Sequence, residues 1–110
     1  MYPKYFKFHT TAKSSNTKEF LFAVDICVEL TEETVNATGS MEEDDVVMKL
    51  IYDALRKKFA HYGGREYDPN AALIPLEKAP EEVQQPETEK LKQGSRIWIQ
   101  ETGQSGMPLA

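Results

Sequence analysis

The feature that most constrains the fold is an alternating segment at residues 19–30, EFLFAVDICVEL. Apolar side chains at every second position are typical of a β-strand with one buried face. The predicted core face carries Phe20, Phe22, Val24, Ile26, Val28 and Leu30. The opposite face is mixed, and we predict that it is only partly covered. It carries Leu21, Ala23, Asp25, Cys27 and Glu29.

A second strand is predicted at residues 4–12, and the polar cluster at 13–18 predicts a turn between the two strands. Because so short a connection leaves no room for a parallel crossover, we expect an antiparallel hairpin. The inward residues of this strand are Phe6, Phe8 and Thr10. The side chains expected to pair across the other face of the hairpin are Lys7, His9, Asp25 and Glu29.

A long helix is predicted over residues 41–62. Ser40 and Glu43 form a capping box at its start, and the Gly63-Gly64 pair ends it. Acidic residues in the first turn and basic residues in the last turn favour the helix dipole. An apolar stripe follows the helical spacing. It consists of Met48, Ile51, Leu55, Phe59 and Tyr62, flanked by Val47 and Ala54.

The remaining segments are less regular. Residues 31–39 are predicted to be a connection. Residues 71–77 are compatible with an extended segment, which their proline restricts to an edge strand or a loop because it lacks a backbone N–H. Residues 80–94 favour either one short helix or a mobile loop. SRIWIQE at 95–101 predicts a last strand, whose inward residues are Ile97 and Ile99.

This order of elements predicts one α+β domain over residues 1–110. We expect a small antiparallel β-sheet, built from the N-terminal hairpin and one or more C-terminal strands, packed against one long α-helix. The segment at 65–94 is the part of the domain in which mobility is expected.

Charge and cysteine content limit the classes of function. The net charge of −5 argues against general nucleic-acid binding, which needs a basic surface. With Cys27 as the sole cysteine, no internal disulfide can form, and a reducing, cytoplasmic location is expected. The N-terminus has no apolar signal-peptide core, and the longest apolar run, at 20–24, is too short to span a membrane.

The sequence offers little support for catalysis. His9, His61 and Cys27 do not follow zinc-ligand spacing, and the acidic run at 42–45 suits a helix start without any ion. A Cys27–His9 nucleophile pair is conceivable, but Asp25 nearby would raise the pKa of the thiol and favours an inert cysteine. We therefore expect no metal, no cofactor and no assembled catalytic set.

The chain also resembles the 6-pyruvoyl-tetrahydropterin synthase-like (T-fold) proteins. The matching features are the first strand with His9, Thr38-Gly39 before an acidic helix, Tyr67-Asp68-Pro69-Asn70 in place of an L-D-H motif, and IWIQET at 97–102 as the closing V-x-V-x-E-T strand. The resemblance implies a purine or pterin ligand held by Glu101 and Thr102, in an oligomer with pockets at the subunit interfaces.

The departures from that family affect its catalytic residues. Ser14, Ser15 and Asn16 stand where the family has its second group of zinc-binding histidines, and Pro69 stands where its catalytic histidine is expected. Cys27 lies inside the second strand, whereas the family's nucleophile precedes it. The resemblance therefore implies ligand binding without zinc-dependent catalysis.

The leading hypothesis is a small, non-catalytic interaction protein that binds a macromolecular partner or associates with itself. The mixed face of the hairpin and the outward face of the last strand supply the candidate partner-binding residues, which are Leu21, Cys27 and Trp98. The alternative is a T-fold-like protein that binds a purine or pterin through Glu101. In a plain interpretation, Glu101 is only the polar end of a strand before a turn.

Overall fold

A computed structural model of the chain describes residues 2–39, 41–81, 89–90 and 94–104, and it confirms the predicted α+β class. Its strands are β1 (Lys4–Ser14), β2 (Phe20–Leu30), β3 (Arg65–Tyr67), β4 (Leu73–Leu76), β5 (Glu89–Lys90) and β6 (Arg96–Gln104). Its helices are α1 (Glu32–Ala37), α2 (Glu43–Lys58) and a 3-10 turn at Ala60–Tyr62. No helix within the described ranges has the length and apolar character needed to cross a bilayer.

The sheet is antiparallel, with the strand order β3-β1-β2-β6-β5, and β4 also pairs with β1. The predicted hairpin of β1 and β2 is therefore confirmed, and β6 adds to the other side of β2. β3 pairs with the end of β1, while β4 pairs with its first half. The predicted edge position of the segment around Pro75 is also confirmed, since β4 pairs only with β1 among the described strands.

The core lies between one face of the sheet and α2. On β1 and β2, alternate residues are almost fully buried, as the pattern predicts, and α2 contributes Val46, Val47, Ile51, Ala54 and Leu55. The ring of Phe22 stacks on that of Phe59, with centroids 4.0 Å apart. Glu43, at the start of α2, contacts Lys4 at the open end of the hairpin, so the helix runs along the hairpin and its last turn lies over the closed end.

Two predicted boundaries of the long helix are wrong. Ser40 lies outside the described residues, and Glu42 occupies the N-cap position without a side-chain cap bond. Glu43 does not reach back to a cap, because its carboxylate binds the Tyr2 hydroxyl at 2.7 Å and Lys4 at 2.9 Å. At the other end, α2 stops at Lys58, and the 3-10 turn carries the chain to the glycine pair.

Residues 31–39 are not a plain connection, because they contain α1. Thr31 caps this helix by accepting from the backbone N–H of Thr34 at 3.4 Å, and Glu32 and Glu33 occupy the first turn. Six residues are too few to show an apolar stripe, so the periodicity of the sequence gave no sign of it.

The predicted inward position of Phe20 is also wrong. Phe22 pairs with Ala12, but Phe20 pairs with Lys13, so Leu21 is an extra residue in β2. This β-bulge turns Phe20 onto the face of the sheet away from α2, where 46% of it is exposed. We call this face the outer face.

Candidate functional site

The predicted partner-binding residues do not form an exposed surface. Cys27 and Trp98 are opposite each other on β2 and β6, and only 1% and 6% of them are exposed. Leu21 is half-buried and packs against the main core, because of the bulge. The chain itself therefore buries most of the surface of the side chains that the sequence predicted to contact a partner.

Glu101 and Thr102 lie at a second bulge. Val24 pairs with Glu101 and Ala23 with Gly103, so Thr102 is the extra residue of β6. Because Val24 is a core residue, Glu101 lies on the sheet face that carries α2, where it is half-buried, whereas Thr102 is exposed. Neither of the two cavities described below is lined by these residues.

The polar ladder predicted across the hairpin is confirmed in one pair. His9 Nδ1 lies 2.6 Å from Asp25 Oδ1, and both side chains are largely exposed. Cys27 is opposite Lys7 rather than His9, so the strand register does not assemble a Cys–His nucleophile pair. Within the described ranges, no three His, Cys, Asp or Glu side chains cluster closely enough to hold a metal ion.

A cleft opens at the closed end of the hairpin, next to β3. Its volume is about 290 Å³, and the exposed Phe20 lines it. The ring of Phe20 also lies over Gly103, since a Cβ at that glycine would be 3.5 Å from Phe20 Cζ. Charged and turn residues complete the lining, and those that matter for recognition are Lys13, Lys18, Glu66, Asp68 and Pro69. We call this site the Phe20 cleft.

Most charges in the Phe20 cleft are already engaged. Lys18 donates a hydrogen bond to Glu66, and this bond lowers the pKa of the Glu66 carboxyl below its ordinary value. Asp68 Oδ1 accepts from the backbone N–H of Asn70 at 2.9 Å, which fixes the turn before β4. Lys13 is exposed and forms no salt bridge with the described residues. The charged groups of the cleft without a salt bridge to a described residue are therefore Lys13 and Asp68.

Charge is segregated between the two ends of the molecule, which is 44 Å along its longest axis. The acidic end holds α1 and the start of α2, and carries Glu32, Glu33, Glu42, Asp44 and Asp45. The opposite end holds the hairpin turn, the end of α2 and β3. Its cations are Lys13, Lys18, Arg56, Lys57, Lys58 and Arg65, and they outnumber its carboxylates, which are Glu19, Asp53, Glu66 and Asp68, so we call it the basic end. The Phe20 cleft lies at the basic end, although the net charge is −5.

A second cavity, of about 580 Å³, lies at the acidic end. Its polar lining is dominated by carboxylates, and its residues include Tyr2, Glu29, Glu32 and Glu33. Glu29 is already bound by the Tyr5 hydroxyl at 2.9 Å, and Arg96 Nε lies 3.6 Å from it. The described residues that line this cavity include no cation, and their hydroxyl groups are engaged, since Thr31 caps α1 and Tyr2 binds Glu43.

The sequence did not reveal the Phe20 cleft. The alternating pattern of β2 continues through Phe20, so the bulge at Leu21 cannot be predicted from that pattern. The cleft also joins residues from the hairpin and from positions 66–69, which are distant in the sequence. Comparison of the chain with protein-family models, curated proteins and solved structures found no match.

Proposed function

We propose that this chain is a non-catalytic interaction protein that binds a protein partner through the Phe20 cleft. The observation that carries the proposal is the exposed ring of Phe20, which a bulge directs away from the core into the lining of a cleft. Aromatic side chains are enriched at the centres of protein interfaces because they bury a large apolar area with few rotatable bonds.

The size of the cleft suits a single side chain of a partner. Sites that enclose a small ligand usually have volumes of roughly 300–1,000 Å³. The Phe20 cleft, at about 290 Å³, is at the lower limit of that range and has room for an anchoring side chain. Hot-spot residues of protein interfaces typically occupy pockets of this kind.

The chemistry of the described residues supports binding without catalysis. His9 and Asp25 form an exposed pair with no nucleophile opposite them in the register, and Cys27 is buried. A catalytic site would need a nucleophile, a base and a group that stabilises developing charge, all converging on one point.

The proposal is tested by comparing two variants that each remove one exposed apolar side chain. Phe20→Ala removes the aromatic side chain of the cleft, and Ile74→Ala, at a residue 55% exposed on β4, is the matched control. A partner captured from the native host is identified and purified, and its Kd is measured by calorimetry. We expect Phe20→Ala to weaken binding by at least about tenfold and Ile74→Ala to leave it unchanged.

Two results would overturn the proposal. One is partner binding that is unaffected by Phe20→Ala while circular dichroism shows an intact fold. The other is turnover of a small-molecule substrate that a single side-chain substitution abolishes.

A further inference from the structure

We infer that the occupant of the Phe20 cleft is the Met41 corner of a second copy of this chain, so that copies associate head to tail. The Met41 corner is the segment 41–45, which leads into α2. This inference rests on the proposed function of the cleft. It starts from the exposed large apolar side chains of the described residues, of which Phe20 lies at the basic end and Met41, 38% exposed, at the acidic end.

The two surfaces match in chemistry. A methionine thioether packs favourably against an aromatic ring, so the side chain of Met41 suits the ring of Phe20. Carboxylates surround Met41, and three of them, at Glu42, Asp44 and Asp45, are exposed without a salt bridge to any described residue. In the cleft, Lys13 is the cation that has no salt bridge to a described residue. Such opposed charges steer two surfaces together and fix their orientation.

The neighbouring charges reinforce this match. At the basic end, Glu66 is engaged by Lys18 and Asp53 lies 3.4 Å from Arg56, whereas Glu19 and Asp68 have no salt bridge to a described residue. At the acidic end, Lys4 is engaged by Glu43. The cations of the basic end without such a salt bridge are Lys13, Lys58 and Arg65, so the charge left for a partner is positive at the basic end as a whole and negative around Met41.

The two surfaces cannot meet within one molecule. Lys4 contacts Glu43 beside the Met41 corner, whereas Lys13 lines the cleft. Lys4 and Lys13 are nine residues apart on β1 and are separated by roughly 30 Å, because a strand rises about 3.3 Å per residue. Contact between the corner and the cleft must therefore join different copies.

Such a contact uses two different surfaces of each copy and is heterologous. A heterologous contact that does not close into a ring leaves one free cleft and one free corner at the ends of every assembly. Association should then increase with protein concentration, pass beyond the dimer, and weaken when salt screens the charges.

The test is sedimentation velocity on the full chain over a range of concentrations, at low and at high salt. We expect Phe20→Ala and Met41→Ser each to weaken self-association at least about tenfold while circular dichroism stays unchanged. Ile74→Ser, which removes an exposed apolar side chain elsewhere, should associate like the natural chain.

A mixture of the two variants gives the sharpest result. The Phe20→Ala copy keeps its Met41 corner, and the Met41→Ser copy keeps its cleft, so an equimolar mixture should form a one-to-one heterodimer that grows no further. A symmetric dimer in which both variants fail together would overturn the inference, and so would a chain that is monomeric at every concentration. If a monomeric chain still binds another protein through Phe20, only the inference fails; if it binds no protein through Phe20, the proposed function fails as well.

Discussion

Phe20 and Phe22 are two residues apart on β2, yet their side chains lie on opposite faces of the sheet. Phe22 is fully buried and stacks on Phe59, with ring planes 18° from parallel, whereas Phe20 is 46% exposed at the cleft. In an unbroken strand both rings would lie in the core. The bulge at Leu21 therefore leaves Phe22 in the core and places Phe20 where a partner can contact it.

This relationship predicts different effects for the same substitution at the two positions. Phe22→Ala should lower the free energy of unfolding by about 3–5 kcal/mol, because it leaves a cavity beside Phe59. Phe20→Ala should change it by no more than about 0.5 kcal/mol, as expected of a surface position. Urea denaturation followed by circular dichroism measures both. Similar losses for the two variants would show that Phe20 belongs to the core and that the bulge is absent.

Long periodic segments explain why much of the fold was predictable. β1, β2 and α2 each bury one face along their whole length, so their apolar residues repeat with the period of the element. The antiparallel hairpin followed from a short connection. A bulge of one residue and a helix of six residues do not change such a pattern enough to be detected, and this explains the errors at Phe20 and at residues 32–37.

The candidate site was much less predictable than the fold. Cys27 and Trp98 lie on the mixed outer face, which suggested a surface open to a partner, but the strand pattern does not show what the chain itself encloses. The Phe20 cleft depends on how the hairpin turn packs beside residues 66–69. Because these two segments are distant in the sequence, the pattern of neither one predicts that they pack together.

A buried hydroxyl pair joins α1 to the start of β6 and should contribute measurably to stability. Thr34 Oγ1 and Ser95 Oγ are 2.6 Å apart, and Ser95 Oγ also accepts from the backbone N–H of Thr31 at 3.1 Å. Ser95→Ala removes these two bonds and a longer one to Thr31 Oγ1 at 3.4 Å, and it should cost about 1–3 kcal/mol of unfolding free energy. Thr17→Ala, at an exposed hydroxyl in the hairpin turn, should cost less than about 0.5 kcal/mol.

A double variant separates the hydrogen bond from other effects of Ser95. Once Ser95 is alanine, Thr34→Val should cost less than it does in the natural chain, because its partner is already gone. Costs that simply add would mean that Thr34 and Ser95 do not interact energetically.

The contact between the N-terminus and α2 should make stability depend on pH. Partial burial alone would raise the pKa of Glu43, but the hydrogen bonds from Tyr2 and Lys4 outweigh it and lower the pKa from its ordinary 4.5. A carboxyl with a lowered pKa in the folded state contributes stability above its unfolded pKa and loses it as pH falls. The natural chain should therefore lose its advantage over Glu43→Gln as the pH falls below about 4.5 and through the lower folded pKa of Glu43.

The same contact should weaken again at alkaline pH. The bonds to Glu43 raise the pKa of Tyr2 above 10.0 and that of Lys4 above 10.5. A raised pKa contributes stability below the unfolded value and loses it as pH rises through the folded one. Urea denaturation across both pH ranges measures the difference between the natural chain and Glu43→Gln. A difference that stays constant with pH would contradict the assigned contacts.

Glu101 decides between the proposed function and the T-fold-like alternative. A carboxylate that anchors a purine or pterin must face a pocket that admits the ring, and Glu101 is half-buried opposite Val24, outside both described cavities. We therefore expect guanine and pterin compounds to leave the Tm unchanged, both for the monomer and for any assembly isolated at high concentration. A Tm that rises with ligand concentration, as linkage requires for a compound bound to the folded state, would favour the alternative. Loss of that rise in Glu101→Gln, with the Tm of the free protein nearly unchanged, would then assign the ligand to this carboxylate.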